Sequence, residues 1–271
     1  MRGSGIDDDV RVCCQKRVPN DLAKIVALLE PHPESLVGVV VESTFNWFWL
    51  VDGLIEHGFA VKLANTAAIA QYSGMKYSGD EHDARHLAHL LRLKLLRFGH
   101  IFPPEWRAVR DLARKRLPMV QSRTGHILAL EALYARQTGG RIGGNAVKQL
   151  TMDQVAQWNW LDETTLAAQA DLAIVQATET VFDNLELQLR ERVRVNPRYE
   201  TLGSVPGIGD ILSTVIMLET GPIERFASAG NYDSYARCVG NVRNSNGKKK
   251  GEGNRNEGTW RTRWCGLAIT C

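Results

Sequence analysis

Apolar residues recur along the chain with two different periods, and the change between them outlines the predicted elements. Residues 37–41, VGVVV, form a short β-branched run that ends at Glu42, which predicts a buried strand. Apolar residues then follow at roughly helical spacing, with Ser43 as the N-cap candidate and Gly58 as the stop. Residues 59–64, FAVKLA, predict a second strand. Together these segments predict a βαβ unit, whose right-handed crossover makes the two strands parallel.

Helical periodicity dominates the rest of the chain. One helix is predicted from Asp80 to about Phe98, and Pro104 suits the first turn of a long helical region. The glycine-rich segment 138–145 marks a turn, and residues 163–193 are helical again. Within 163–193 a heptad-like seam comprises Ile174, Val181, Leu185, Leu189 and Val193. Ordinary helix packing and a coiled-coil arm both fit this seam.

The last third of the chain has a different pattern. Two short helical patterns flank Pro206-Gly207-Ile208-Gly209, which predicts a tight turn between helices. Such a turn aims N–H groups at a phosphate, although Gly207 and Gly209 also simply permit a close helical hairpin. Residues 240–258 have no apolar periodicity and are predicted to be a loop.

Composition bounds the class of protein. The chain has 271 residues, 44% hydrophobic and 23% charged, as in soluble globular proteins. No apolar run is long enough for a membrane helix, and the N-terminus resembles no signal peptide, so a cytoplasmic protein is expected. Five cysteines without a CxxC pair favour a reducing compartment and argue against a zinc ribbon.

Positive charge is concentrated near the end of the chain. The net charge is only +3, but eight Lys or Arg face two Glu between Arg237 and Arg263, which indicates a polyanionic partner. Ser245 is the one hydroxyl in 240–258, and cations flank it; a serine in a polar loop is also commonly just solvent-exposed. The candidate DNA-binding residues are Gly207, Gly209, Arg243, Lys248, Lys249, Lys250 and Arg255.

Three acids form the candidate metal site. Glu42 ends a predicted parallel strand, where α/β sheets carry their sites, and Asp80 and Asp83 share one face at the start of the next long helix. Helix capping is the alternative explanation for the two aspartates. Three converging carboxylates repel one another unless a cation neutralises them, and all-oxygen ligation suits Mg²⁺. A rival zinc site would use His82 and His86 at i, i+4, with His89 nearby.

The motifs, taken in order, resemble one family. VVVES (39–43), GDEHDARHLAHLL (79–91), SVPGIGDILSTVIMLETGPIERFASAGNYDSYARCVG (204–240) and NSNGKKKGEGNR (244–255) are similar to the DEDD transposases of the 110/1111 insertion-sequence family, which includes the Piv invertase. The resemblance implies an α/β fold. It comprises an RNase H-like (RuvC-like) catalytic domain over 1–104, a helical or coiled-coil arm over 105–195, and a mainly α C-terminal transposase domain over 196–271 with a helix-hairpin-helix.

The resemblance also implies the chemistry. Glu42, Asp80 and Asp83 match the family's metal-binding acids, and Ser245 matches its serine nucleophile. The implied activity is Mg²⁺-assisted cleavage and exchange of DNA strands through a phosphoserine linkage. Element-encoded guide RNA, DNA of the element ends and target, and other copies of the chain are the implied partners.

Two departures from the family pattern affect these expectations. The family's first acid lies on an N-terminal strand. Gly5-Ile6-Asp7 mimics its pattern, but no apolar strand precedes Asp7, and the interval to residue 18 looks too short for a complete hairpin. The family also continues into apolar helices after the basic segment, whereas residues 259–271 show no such pattern. The chain is therefore expected to be a truncated or degenerate copy.

Two other functions compete with a recombinase. One is a nuclease of the Holliday-junction type, in which water attacks the phosphate. The other is a DNA-binding remnant without catalysis, whose binding would have a steep salt dependence.

Overall fold

The fold is α/β, with long helices and three small sheets. The computed structural model describes residues 2–7, 9, 11–32, 36–44, 46–65, 79–236 and 242–252. The chain divides into two compact units, Met1–Ile101 and Phe102–Cys271. None of the helices in these described ranges has the length and apolar character needed to cross a bilayer.

The first unit begins with an antiparallel hairpin. Strand β1 (Arg2–Ile6) pairs with β2 (Val12–Arg17). Asp7 closes the turn: its amide donates to the Arg11 carbonyl at 3.0 Å, and its carboxylate accepts from the Arg11 amide at 2.7 Å. A strand therefore does precede Asp7, although it is not apolar, and the interval from Asp7 to residue 18 holds one strand, β2, rather than a complete hairpin. Backbone pairing and packing on a later helix hold these polar strands, so apolar alternation is not needed.

The predicted βαβ unit is confirmed. Helix α1 (Leu22–Leu29) precedes β3 (Val39–Glu42), α2 (Phe48–Glu56) and β4 (Val61–Ala64), and β3 pairs with β4 in parallel. Helix α2 begins later than predicted, and Ser43 is not its N-cap. The Ser43 amide donates to the Ala64 carbonyl at 3.2 Å, which extends the sheet by one residue instead.

The two faces of this sheet pack against different helices. Val41 and Leu63 join a core cluster with α1 and α2, through residues such as Leu54. Val40 and Ala64 point the other way and pack with Leu87 and Leu90. Because side chains alternate along a strand, Glu42 shares the face of Val40.

Helix α3 (Asp80–Arg92) supplies Leu87 and Leu90, and it is shorter than predicted. Lys94 lies at φ 56°, which ends helical geometry, and β5 (Phe98–Gly99) then pairs antiparallel with β4. The prediction of a helix to about Phe98 is thus wrong over residues 93–98. Helix α3 packs on β1 and β3.

A long antiparallel helix pair forms the start of the second unit. Helix α4 (Pro104–Thr138) has Pro104 in its first turn, as predicted, and Gly139 ends it at φ 68°. Short helices α5 (Gly144–Gln149) and α6 (Met152–Ala156) connect it to α7 (Asp162–Val193). Helix α7 lies along α4, so its seam serves helix packing within the chain.

The seam is offset from the predicted one. Leu185, Leu189 and Val193 are buried as expected, but Ile174 and Val181 are 41% and 48% exposed. Ion pairs between α4 and α7 occupy other positions of the contact surface. The guanidinium of Arg116 donates to Glu186 at 2.7 Å, and that of Arg123 donates to Glu179. Both arginines also lie over the buried ring of Phe182, at 5.1 Å and 4.5 Å from its centroid.

The C-terminal helices follow the arm. Helices α8 (Pro197–Gly203) and α9 (Asp210–Thr220) flank the PGIG turn, and a 3₁₀ turn (Ile223–Arg225) leads to α10 (Ala229–Ala236). Buried Glu219 on α9 fastens this group to α4. Its carboxylate accepts from Arg110 and, at 2.7 Å, from Arg114.

The basic segment forms a hairpin where a loop was predicted. Strand β6 (Val242–Ser245) pairs antiparallel with β7 (Lys248–Glu252). Asn246 and Gly247 connect them with φ of 53° and 72°, which is the geometry of a type I′ turn. The loop prediction is therefore wrong for 242–252, because backbone pairing and the turn sequence fold the segment without apolar periodicity. Residues 253–271, including Arg255, lie outside the described residues.

Candidate active site

Glu42 lies at the carboxyl end of a parallel strand. It is the last residue of β3, in register with Ala64 of β4, and it follows buried Val41. Its side chain is on the face of the sheet that α3 covers, because Val40 and Ala64 pack there. The strand therefore directs this carboxylate toward the helix that carries the two aspartates.

Asp80 and Asp83 both lie in the first turn of α3, and neither is the N-cap. Gly79 occupies the N-cap position in an extended conformation, and, since glycine has no side chain, the helix has no side-chain cap. The predicted alternative, in which the Asp80 side chain caps the helix, is wrong. The helix dipole still favours negative charge here, so the fold tolerates the two aspartates at a modest cost.

The two aspartates of α3 influence the ionisation of Glu42. The pKa of Glu42 is raised from its ordinary value, first by burial of the carboxyl and then by the negative charges of Asp83 and Asp80. A charge on α3 can disfavour ionisation of Glu42 only if it lies nearby. The structure thus brings together a strand end and a helix start that are distant in sequence.

Asp83 adds a second indication of a cation site. Its Oδ1 atom is buried and has no hydrogen-bond partner within the described part of the chain. A buried carboxylate oxygen without a donor is costly, and a cation would satisfy it. The residues present therefore suit a hard divalent ion, since all three offer oxygen ligands.

The acids are nevertheless not in coordination geometry. Across the described residues, no group of three or more His, Cys, Asp or Glu is placed to hold one metal ion. A shared ion therefore requires these carboxylates to move from the positions they occupy here.

The histidines of α3 do not form a zinc site in this arrangement. The rings of His82 and His86 stack with their centroids 6.1 Å apart, and no metal-holding group that includes them is found among the described residues. The pKa of His86 is lowered by burial and by the neighbouring His82 and His89, against the opposing effect of Asp83.

Asp7 has a structural contact of its own. Its carboxylate accepts the Arg11 amide in the β1–β2 turn, and the carboxylates that raise the pKa of Glu42 are those of Asp83 and Asp80. The fold thus gives Asp7 a role in closing the hairpin.

Ser245 belongs to the second unit. It is the last residue of β6, immediately before the Asn246-Gly247 turn, and its register partner is Lys248. Arg243 lies on β6, and Lys249 and Lys250 lie on β7. The predicted serine therefore occupies the tip of a basic hairpin, a position that the Asn-Gly dipeptide could have revealed from sequence.

The PGIG turn has the open backbone that a phosphate contact needs. Gly207 lies at φ 87°, Gly209 is the N-cap of α9, and a Cβ on either would meet no atom within 4 Å. Asp210 lies in the first turn of α9, where its negative charge interacts favourably with the helix dipole. It pairs with Arg190 at 3.8 Å, and its charge and hydrogen bond, after burial, help to raise the pKa of Tyr199.

Comparison with known families identifies the chain. A family model of DEDD transposases of the IS110 type, described as "Transposase", matches residues 2–135. A second model, described as "Transposase IS116/IS110/IS902 family", matches residues 199–267. No curated protein matches the chain. The two models together cover most of the chain, in the expected order and over both candidate regions, and the chain belongs to the IS110 family of DEDD transposases.

Proposed function

We propose that this transposase cleaves and rejoins DNA strands at the ends of an insertion sequence, with Mg²⁺ held by Glu42, Asp80 and Asp83. Transposases act on DNA, and the DEDD type implies a divalent metal. The observation that carries the proposal is the placement of Glu42 at the carboxyl end of β3, on the sheet face that α3 covers, with Asp80 and Asp83 in the first turn of that helix. The unpartnered Oδ1 of Asp83 supports it.

The local fold supports an RNase H-like (RuvC-like) catalytic domain over residues 1–104. Its parallel βαβ unit is covered by α3 on one face, and the hairpin β1–β2 packs on the same helix. Sites of parallel α/β sheets lie at the carboxyl ends of the strands, which is where Glu42 stands.

Ser245 is proposed to attack the scissile phosphate. Its Oγ forms a bond to phosphorus as its proton passes to water or a basic group, and the bond from phosphorus to the leaving sugar oxygen breaks. The leaving oxygen takes up a proton, and a DNA hydroxyl later reverses the step by displacing the serine. A bound divalent ion supplies Lewis-acid stabilisation of the charged phosphate. Lys248 is the register partner of Ser245, and this lysine is proposed to supply the positive charge that favours an ionised serine.

The remaining parts are proposed to bind nucleic acid. Helices α8 and α9 form a helix-hairpin-helix over the domain 196–271, with Gly207 and Gly209 at a DNA phosphate. The basic hairpin adds Arg243, Lys248, Lys249 and Lys250, with Arg255 beyond it. Guide RNA pairing and self-association through the arm, 105–195, follow from the family resemblance.

A nicking assay tests the proposal. Supercoiled plasmid carrying the element's own ends is incubated with the full chain and Mg²⁺ or Mn²⁺. Asp83→Asn and Glu42→Gln should each lower the nicking rate by about a hundredfold or more, because each removes a proposed metal ligand. Glu81→Gln is the matched control, because it removes the same charge from the same helical turn.

The covalent intermediate separates the competing chemistries. Denaturing gels should show a protein–DNA adduct that is absent in Ser245→Ala. Nicking without an adduct would mean that water attacks. Salt-sensitive DNA binding without nicking, unchanged in Asp83→Asn, would mean that the chain only binds DNA, and either result would overturn the proposed serine mechanism.

A further inference from the structure

A row of three residues crosses the first unit's sheet from the acids to its edge. Glu42 is in register with Ala64, and Ala64 is in register with Phe98 on β5. Two strand spacings of about 4.8 Å place Phe98 about 10 Å from Glu42. The side chain of Phe98 is 48% exposed, whereas Ala64 between them is fully buried.

The side chains of this row share one face of the sheet. Directly paired residues point to the same side, and Ala64 packs against Leu87 and Leu90 of α3. Lys62 lies two residues before Ala64 and therefore also points to that side. Its Nζ atom is 5.7 Å from the centroid of the Phe98 ring. The ring of Phe98 and the ammonium of Lys62 thus lie on the same side of the sheet as the acids, at the edge formed by β5.

An exposed ring with a lysine beside it has a recognisable chemistry. Aromatic rings stack with nucleobases of any sequence, and cations beside them bind the phosphates between those bases. Leu87 and Leu90 nearby are buried in the core. Phe98 instead begins a two-residue edge strand, with much of its surface open to solvent.

We propose that Phe98 and Lys62 form a stacking platform for an unpaired base of the DNA strand being cleaved. The inference rests on the proposed function and extends it. With the scissile phosphate at the acids, the platform lies within reach of a neighbouring base. Stacking there fixes which phosphate of a single strand reaches the acids, and duplex DNA cannot use it because its bases are already stacked. Phe98 and Lys62 are therefore positioning residues.

Base stacking is measured with 2-aminopurine, whose fluorescence falls when it stacks. Single-stranded DNA oligonucleotides from the element end carry this base at successive positions and are bound to the full chain in Ca²⁺. One position should be quenched, and Phe98→Tyr should keep the quenching. Phe98→Leu keeps apolar bulk but has no ring, so it should lose the quenching and weaken binding by about 5- to 100-fold. Lys62→Gln should weaken binding less.

Controls make the result specific. Leu95→Ala removes a neighbouring side chain that is 56% exposed and should leave binding unchanged. Thermal unfolding shows that each variant is folded, and an RNA oligonucleotide of the same sequence tests whether RNA is the preferred strand.

The outcomes separate this inference from the proposed function. Unchanged quenching in Phe98→Leu, tighter binding of duplex than of single strands, or preference for RNA would overturn the platform, whatever the nicking assay shows. Quenching that depends on Phe98 supports it even if Asp83→Asn leaves nicking intact, which would overturn the proposed metal site alone.

Discussion

Asp83, in the first turn of α3, adds its negative charge to the effect of burial, and together they raise the pKa of Glu42, the last residue of β3. The two carboxylates belong to elements that pack against each other through Val40 and Leu87. Like charges brought together in this way destabilise a protein unless a cation joins them. This relationship leads to the first two predictions.

Glu42→Gln should stabilise the metal-free protein and abolish its response to divalent ions. Removing the charge relieves repulsion by less than about 1 kcal/mol, because the site is partly open to water and screened. The wild-type chain should gain roughly 2–3 kcal/mol at about a hundredfold excess of Mn²⁺ over Kd. Thermal unfolding with and without Mn²⁺ measures both effects. Equal Mn²⁺ stabilisation of both proteins would refute the role of Glu42.

The pH dependence of the metal-free protein should reflect the raised pKa of Glu42. The native state holds this proton to a higher pH than the unfolded chain does. The resulting contribution to stability is present below the unfolded pKa and is lost as pH rises through the folded pKa. Stabilisation by Mn²⁺ should have the opposite trend, since protons compete for the carboxylate. Denaturant unfolding at pH values that span the folded and unfolded pKa of Glu42, with and without Mn²⁺, measures both pH dependences. Both should be weaker in Glu42→Gln.

Glu219→Gln should destabilise the second unit. The change leaves Arg110 without its carboxylate in a site where both side chains are nearly buried, which costs about 3 kcal/mol. Arg114→Ala should cost less, because that side chain is half exposed. Urea unfolding provides the measurement. A loss for Arg114→Ala as large as for Glu219→Gln would contradict this account.

The same carboxylate gives a second pH prediction. Burial alone would raise the pKa of Glu219, but the hydrogen bond from Arg114 and the charge of Arg110 lower it overall. Its contribution to stability is therefore present above the unfolded pKa and is lost as pH falls through the folded pKa. Glu219→Gln should remove this part of the acid destabilisation.

The arm offers a matched pair of neighbouring residues. Phe182 is 4% exposed between two arginines, so Phe182→Ala should cost about 3–5 kcal/mol. Val181, which is 48% exposed, should tolerate alanine within about 0.5 kcal/mol. Urea unfolding of the two variants distinguishes the observed seam from the predicted one. Similar losses would mean that Val181 is buried in solution, as in a dimer through this face.

The sequence predicted elements whose signals are local. The β-branched run before Glu42 and the glycine at 58 outline the βαβ unit, and helical spacing places Asp80 and Asp83 on one face. The rule for parallel sheets placed Glu42 at an edge that carries functional sites, and this rule needs no long-range information. The approach of the two aspartates to Glu42, and the burial of the Asp83 Oδ1 atom without a partner, could not be predicted, because they depend on how α3 packs.

The failures have physical causes. Glu179 and Glu186 occupy seam positions of α7, since arginines of α4 pair with them, and an apolar pattern cannot reveal such layers. Helix α3 ends at Arg92 because the backbone at Lys94 turns into β5. The basic hairpin was missed although its turn sequence, Asn246-Gly247, is the strongest short hairpin signal.

Anomalous diffraction from crystals soaked in Mn²⁺ tests the central claim most directly. The account predicts one strong manganese peak bound by the carboxylates of Glu42, Asp80 and Asp83, with oxygen distances of about 2.1–2.2 Å. The peak should vanish in Asp83→Asn and persist in Glu81→Gln. A wild-type map without a peak at these three residues, under conditions in which the DNA is nicked, would contradict the account.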